Sequence, residues 1–423
     1  MPVSAGTSVT ARLPGNRAET VITVGEAREA VLAAMPDFEA ENVPVESARG
    51  RVLRQNVVAE RDQPPFDRVM MDGIAIAYSD YAAGRRQFPV QSTQAAGDKQ
   101  QTLDAGNCIE IMTGASLPVG AECIVPVERI TVAEGAATLE DGYVAEARQF
   151  IHPQASDHER GTVLLAAGKR ISPMDIAIVH SAGLTDVEVS RQPTIRIIST
   201  GNELVPAGES IEPHQVRLSN GPAVVALLEE HGYLDCEHDH LEDELAVLEE
   251  RIAAHLAAAD VLVLSGGVSM GKADYVPQVL GKLGVEVVFH KISQRPGKPM
   301  WFGVGPAGQA VFALPGNPVS TLVCARQYVL PALARSSGQP NAQPEFAALA
   351  QDFSFKPQLT CFQPVRLLSS TGGQVLAVPV KTNTSGDFAA LSATDACVEL
   401  PLEDTEFPAG TAVRLHRWRL LEP

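Results

Sequence analysis

The heptapeptide Ser265-Gly266-Gly267-Val268-Ser269-Met270-Gly271 follows directly on the apolar run Val261-Leu262-Val263-Leu264. Glycines let backbone N–H groups come close to a phosphate, and two serine hydroxyls can complete its hydrogen-bond shell. A plain tight turn is the alternative that Gly-Gly by itself leaves open. The segment has neither the GxGxxG spacing of a dinucleotide fingerprint nor the GK[ST] of a P-loop. Two more loops of this kind follow apolar runs: Ser199-Thr200-Gly201-Asn202-Glu203, and Leu314-Pro315-Gly316-Asn317-Pro318-Val319-Ser320. Each can offer backbone donors to an extended anion, or simply turn the chain and cap the next helix. Gln294-Arg295-Pro296-Gly297-Lys298-Pro299 holds two cations on a stiff turn, which suits an oxyanion, although exposed cations in a lone turn are commonly just solvated. Glu203, Asp243 and Asp274, with Asp72 in the MMDG turn, form the acidic inventory. Magnesium takes one or two carboxylates plus substrate phosphates, so these can hold it, while each taken singly equally serves as a cap or turn former. The two histidines of His238-Asp239-His240 have no third ligand at metal spacing and are read as solvated. The functional expectation is therefore geometric: residues 199–203, 265–271, 295–299 and 315–320 meet in one cleft.

The elements that must position these loops are legible between Thr194 and Leu333. TIRIIST, GPAVVALLEEHG, YLDCEH, EDELAVLEERIAAHL, VLVL, VPQVLGKLG, VEVVFH and AVFAL followed by VSTLVCARQYVL alternate strand and helix patterns. Such alternation predicts a parallel sheet covered by helices on both faces, with ligands beyond the carboxyl ends of the strands. Upstream, VGEAREAVLAAM places Ala27, Val31 and Met35 at helical spacing. From Gly73 to Phe150, the runs GIAIAY, NCIEIM, ECIVPVE and YVAEARQF read as strands of a small β lobe, inserted because helical patterning resumes at SPMDIAIVHSAG. After SSGQPNAQPE, the runs FQPVRLL, QVLAVPV and AVRLHRW predict a C-terminal β barrel or sandwich.

Bulk properties limit the partners. A chain of 423 residues with 45% hydrophobic and 20% charged content can bury several cores. Its net charge of −18 and lack of a basic run argue against a nucleic-acid surface. The six cysteines show no CxxC and no zinc spacing, so they read as reduced, mostly buried thiols. No apolar stretch is long enough to span a bilayer, and residues 1–20 carry no signal-peptide core, which places the protein in the cytoplasm without membrane attachment.

PPFDRVMMDG (64–73), IMTGA (111–115), STGNEL, SGGVSMGKADY, RPGKP and LPGNPVS resemble, in order and separation, the motifs of the molybdopterin molybdenumtransferases, the bacterial MoeA proteins similar to the E domain of gephyrin. The resemblance runs from Val24 onward. It implies a multidomain α/β protein. Residues 20–63 and 152–190 form an extended N-terminal α+β dimerisation domain, and 64–151 an inserted β lobe. Residues 191–338 form a molybdopterin-binding three-layer α/β/α domain, and 339–423 a C-terminal β barrel. It implies insertion of molybdate into adenylylated molybdopterin with hydrolysis of the adenylate, release of AMP and assistance from Mg²⁺. Asp72, Thr113, Glu203, Asp243 and Asp274 fall on functional positions, the last three as metal ligands. Ser199, Thr200, Gly201, Ser265, Gly266, Gly267, Ser269, Arg295, Lys298, Pro315, Gly316, Asn317 and Ser385 fall on substrate-binding ones. It also implies a homodimer in which the lobe's Asp72 and Thr113 face the partner subunit's pterin site, and contact with the molybdopterin adenylyltransferase. The chain departs from the family at Phe150-Ile151-His152, where Asn-Ile-Arg is usual, and at Pro364, where an arginine is expected and Arg366 stands two places on. A binding or scaffolding homologue without turnover is the alternative.

Overall fold

The computed structural model of the chain describes residues 21–267, 275–382 and 384–419. The central sheet comprises β1 (Ile195–Thr200), β2 (Cys236–Leu241), β3 (Val261–Ser265), β4 (Glu286–His290), β5 (Trp301–Val304) and β6 (Ala310–Leu314), in the order β2-β1-β3-β6-β5-β4. Along β1 and β3 the side chains alternate between two cores. Ile195, Ile197, Val261 and Val263 pack with Val224, Leu227 and Leu228 of the helix Asn220–Glu230. Ile198, Leu262 and Leu264 pack with Leu248, Ile252 and Leu256 of the helix Leu245–Ala258 on the opposite face. The buried runs that looked continuous in sequence are buried on both faces, as a three-layer domain requires.

β2, β1, β3 and β6 are parallel, but β5 runs antiparallel to both of its neighbours, β6 and β4. The all-parallel expectation is corrected there, and the reason is chain length. A parallel crossover needs a dozen or more residues, whereas β4 ends at His290 and β5 begins at Trp301 with no helix between them. β5 itself was not legible as a separate strand in WFGV, because its four residues carry no alternation.

From β1 the chain crosses to β2 on one side, then returns past β1 to β3 on the other. The strand order reverses at the carboxyl ends of β1 and β3, the position at which open α/β sheets bind ligands. Register sharpens this: Ser199 stands opposite Ser265, and Ser265 opposite Leu314, so three loops leave the sheet at one level.

Six strands, from Gly73–Ile76 to Ala136–Leu139, make the lobe's sheet. YVAEARQF is not one of them. Arg148 and Phe150 take φ of 64° and 53°, which no strand accommodates. The C-terminal strands close into a barrel, since Thr360–Ser369 pairs with both Val375–Pro379 and Ala396–Leu400. The short strand Gln294–Arg295 joins that barrel sheet and ties the α/β domain to it. Among the described residues no helix is long and apolar enough to cross a membrane. All six cysteines are free, five of them buried, and burial pushes the Cys361 thiol up to about 12.

The helix Val24–Ala34 starts with a capping box, Thr23 and Glu26 bonding to each other's backbone N–H, and buries Ala27, Ala30 and Val31 in the α/β core. Its Arg28 reaches Glu399 of the barrel at 2.8 Å, and His416 donates to the same carboxylate at 2.8 Å. Burial alone would raise the Glu399 carboxyl, but hydrogen bonds from His416 and Arg28 outweigh it and hold the group at about 2, against 4.5 ordinarily. Burial pushes His416 down to about 4 from 6.5, the Glu399 carboxylate offsetting only part of that. Both folded values lie below the unfolded ones, so their stabilisation is complete above pH 6.5; it drains from His416 as pH falls from 6.5 to 4, then from Glu399 between 4.5 and 2. Urea midpoints are expected to fall steadily from pH 7 to pH 4. Glu399→Gln should cost about 2–3 kcal/mol at pH 7 by stranding the half-buried Arg28. An unchanged midpoint at pH 7 would show the junction carries no stability.

Candidate active site at the carboxyl edge of the sheet

A cleft of about 730 Å³ opens at the switch point. It is lined by Ser199 and Thr200 at the end of β1 with Glu203 beyond it, Ser265 at the end of β3 with Gly266 and Gly267 beyond it, Pro315, Gly316 and Asn317 after β6, and Asp243 from the loop after β2. Gly201 lies between the first of these residues, its carbonyl accepting from His240 Nε2 at 2.9 Å. Ser269 and Asp274 lie outside the described residues.

The glycines serve close approach. Gly266 has φ of 101°, and a Cβ there would lie 2.6 Å from the Thr200 carbonyl oxygen, so only glycine lets the turn after β3 close over the end of β1. The Thr200 hydroxyl beneath this turn is buried and has no hydrogen-bond partner among the described residues. Such an orphan costs about 1–3 kcal/mol, a cost that a ligand able to reach it can relieve.

Asn220 is the residue the sequence did not reveal. At the start of the helix Asn220–Glu230, its Nδ2 donates to Ser265 Oγ at 3.0 Å and to the Gly316 carbonyl at 2.7 Å, clamping two of the loops together. A carbonyl only accepts, so the amide orientation is fixed and Oδ1, which has no partner among the described residues, is left as an acceptor. The one signal is its place just before GPAVVALLEEHG, where an asparagine commonly does no more than cap a helix. His238, expected to be solvated, is half-buried instead. Its Nε2 lies 3.0 Å from Ser199 Oγ, and burial holds its imidazole below the ordinary range. Gly221 makes the room, since a Cβ there would fall 2.0 Å from that nitrogen. His240 is likewise half-buried and bonded, so neither histidine is a free surface group.

The basic turn does not line this cleft, except through Pro299. Arg295 and Lys298, both exposed, line an adjoining cleft of about 480 Å³ with Ser320, Pro364 and Ser385, and the two clefts share Pro299, Pro315 and Asn317. The four loops therefore meet along a double cleft rather than in one. Gln294 props the turn from below: fully buried, it donates to the Pro296 carbonyl at 2.9 Å and accepts from the Tyr328 hydroxyl. Ser385 is fixed at the shared wall, its Oγ accepting from Asn317 Nδ2 at 2.9 Å. Arg366 is exposed and outside both clefts, so it does not take the place of the arginine that Pro364 replaces.

Asp72 and Thr113 line neither cleft. They are coupled to each other on the lobe: the Thr113 backbone N–H and hydroxyl both donate to Asp72 Oδ1 at 2.7 Å, and those two bonds, backbone first, hold the carboxyl below its usual range. At the base of the lobe, His152 Nδ1 accepts from Arg68 at 3.0 Å and its Nε2 faces Asp157 at 3.1 Å.

Among the described residues no three His, Cys, Asp or Glu side chains are grouped to hold a metal. A ready-made all-protein cage is thus absent there. Two carboxylates in a cleft of glycine turns match the donor set with which Mg²⁺ binds alongside phosphate oxygens.

Fold and site together define an enzyme built around a molybdopterin-binding α/β domain. Residues 22–183 match a family model described as the MoeA N-terminal region (domains I and II), 196–335 one described as a probable molybdopterin binding domain, and 347–418 the MoeA C-terminal region (domain IV). A molybdopterin molybdenumtransferase from Synechocystis is 38% identical over 400 residues, covering 94% of this chain and all of that protein. One from Staphylococcus epidermidis is 30% identical, covering 93% and 95%. A molybdopterin biosynthesis MoeA protein from Pyrococcus horikoshii superposes with a TM-score of 0.78 at 29% identity, over 95% of this chain and all of that one. The chain belongs to the molybdopterin molybdenumtransferases, enzymes of molybdenum cofactor biosynthesis.

Proposed function

We propose that the 730 Å³ cleft binds adenylylated molybdopterin, that the adjoining cleft receives molybdate, and that the phosphoanhydride is hydrolysed with release of AMP as the dithiolene takes up molybdenum. The observation that carries this reading is the convergence, at the switch point of the sheet, of three glycine- or proline-stiffened turns with the carboxylates Glu203 and Asp243. Backbone donors of the turns after β1, β3 and β6 cradle the phosphates, and the Ser265 hydroxyl, oriented by Asn220, adds a side-chain contact. Arg295 and Lys298 supply fixed positive charge for the dianion in a protein otherwise strongly acidic. Glu203 and Asp243, with Asp274, would hold Mg²⁺; when bound, it supplies charge neutralisation on the bridging phosphate oxygens.

The functional unit in this reading is a cytoplasmic homodimer, in which Asp72 and Thr113 of one protomer face the cleft of the other. Their absence from the clefts of their own chain supports that arrangement. The molybdopterin adenylyltransferase is the partner that supplies the adenylylated pterin.

A second reading is favoured by Pro364: without the expected arginine, the chain binds the pterin without turning it over. Incubation with Mg²⁺, molybdate and adenylylated molybdopterin separates the two. AMP is expected to appear in step with active cofactor and to fall to background when EDTA removes the divalent ion. Retained pterin binding with AMP at background throughout would establish the scaffold.

A further inference from the structure

Phe388 stands at the rim of the 730 Å³ cleft with 47% of its surface exposed, the one aromatic side chain among the described residues lining it. Its backbone is held on both sides. Upstream, Ser385 accepts from Val319 N through its carbonyl at 3.1 Å and from Asn317 through its hydroxyl at 2.9 Å. Phe388 N donates to the Gly386 carbonyl at 3.0 Å, and its own carbonyl accepts from Leu391 N at 2.9 Å, leading into the short turn Ala389–Ala393. A large apolar ring on a pinned segment, left open to water beside a polar cleft, lacks a partner face.

The opposite demand comes from Asn220. With Nδ2 committed to Ser265 and Gly316, its Oδ1 can only accept, and a fully ionised phosphate, which has acceptors alone, cannot satisfy it. The ring calls for a ligand with a flat face, and beside the buried Oδ1 of Asn220 a ligand edge carrying N–H groups is better matched than one carrying acceptors alone. We propose that Phe388 is the ring platform of this site: it stacks on a planar nitrogen heterocycle, the pterin or the adenine of the adenylylated substrate, while the sheet-edge turns take the phosphates. This rests on the substrate reading above and adds the residue that distinguishes a heterocycle-bearing ligand from a bare anion.

Binding of three probes, AMP, 6-hydroxymethylpterin and inorganic pyrophosphate, to the full chain and to Phe388→Ala tests it. Stacking on an aromatic side chain implies a loss of about 5- to 20-fold in affinity for the ring that stacks. Pyrophosphate affinity should stay unchanged, and Phe388→Tyr should restore ring binding to within about 2-fold, because the face is retained. A loss confined to AMP assigns the platform to adenine, and one confined to the pterin assigns it there. Unchanged affinity for both rings overturns the proposal. Equal weakening of pyrophosphate also overturns it, since that would make Phe388 a prop for the cleft. If the unaltered protein binds none of the three, the cleft assignment itself fails and the platform with it.

Discussion

Asp243→Asn is expected to lower single-turnover AMP release by about 100-fold or more while leaving the fold and AMP affinity nearly intact. Asp243 lies in the loop between β2 and the helix Leu245–Ala258, and the helix N-cap is Glu244, with no side-chain cap bond. The residue is thus outside the capping role that its sequence position suggested. Its backbone N–H donates to Asn202 Oδ1 at 2.9 Å, which fixes the loop after β2 against the loop after β1 and brings Asp243 and Glu203 to one cleft. Asn has the shape of Asp, so the backbone contact to Asn202 survives while the charge is lost. A carboxylate that helps neutralise a phosphoanhydride acts mainly in the transition state, so the rate should fall with little change in half-saturation. Glu203→Gln should behave in the same way. AMP release within about 3-fold of the unaltered protein in both variants would remove the carboxylates from the chemistry.

How much of this was legible beforehand depended on whether a signal was local. The loops after β1, β3 and β6 could be read because each combines an apolar run, which announces a buried strand, with glycine or proline directly behind it. Their convergence then followed from a rule about parallel sheets, and the register of Ser199, Ser265 and Leu314 bears it out. Asn220, Gln294 and His238 were missed or misread for the opposite reason. Each acts through partners 30 or more positions away: Asn220 on Ser265, Gln294 on Tyr328, His238 on Ser199. Polar side chains of this sort look the same in sequence whether they face water or clamp two loops. The split into two clefts was equally hidden, because it depends on Gln294–Arg295 joining the barrel's sheet, a pairing with residues far downstream. The antiparallel edge of the central sheet was readable in principle from connection length, had WFGV been taken as a strand.

The position of Asp72 yields the prediction with the clearest arithmetic. Asp72→Asn alone should lower AMP release by about 100-fold or more, as should Asp243→Asn alone, yet protomers carrying one change each should recover activity when mixed and allowed to exchange subunits. If a lobe completes the cleft of the other protomer, the mixed dimer contains one site with both changes and one with neither. Random exchange makes about half of the dimers mixed, so about a quarter of the unaltered number of sites returns. The lobe's geometry favours this outcome. Asp72 is not a generic surface acid: two bonds from Thr113 fix one carboxylate oxygen and hold the carboxyl below its usual range, yet it lines neither of the two clefts of its own chain. A carboxylate so prepared and so placed acts, in the proposed dimer, across the interface. Thr113→Val, which removes the hydroxyl donor but keeps the backbone one, should weaken AMP release less than Asp72→Asn and be complemented by Asp243→Asn in the same manner. No recovery in mixtures shown by mass to contain mixed dimers would place Asp72 and Asp243 in the same protomer's site, or Asp72 outside the chemistry altogether, and the trans arrangement would fall.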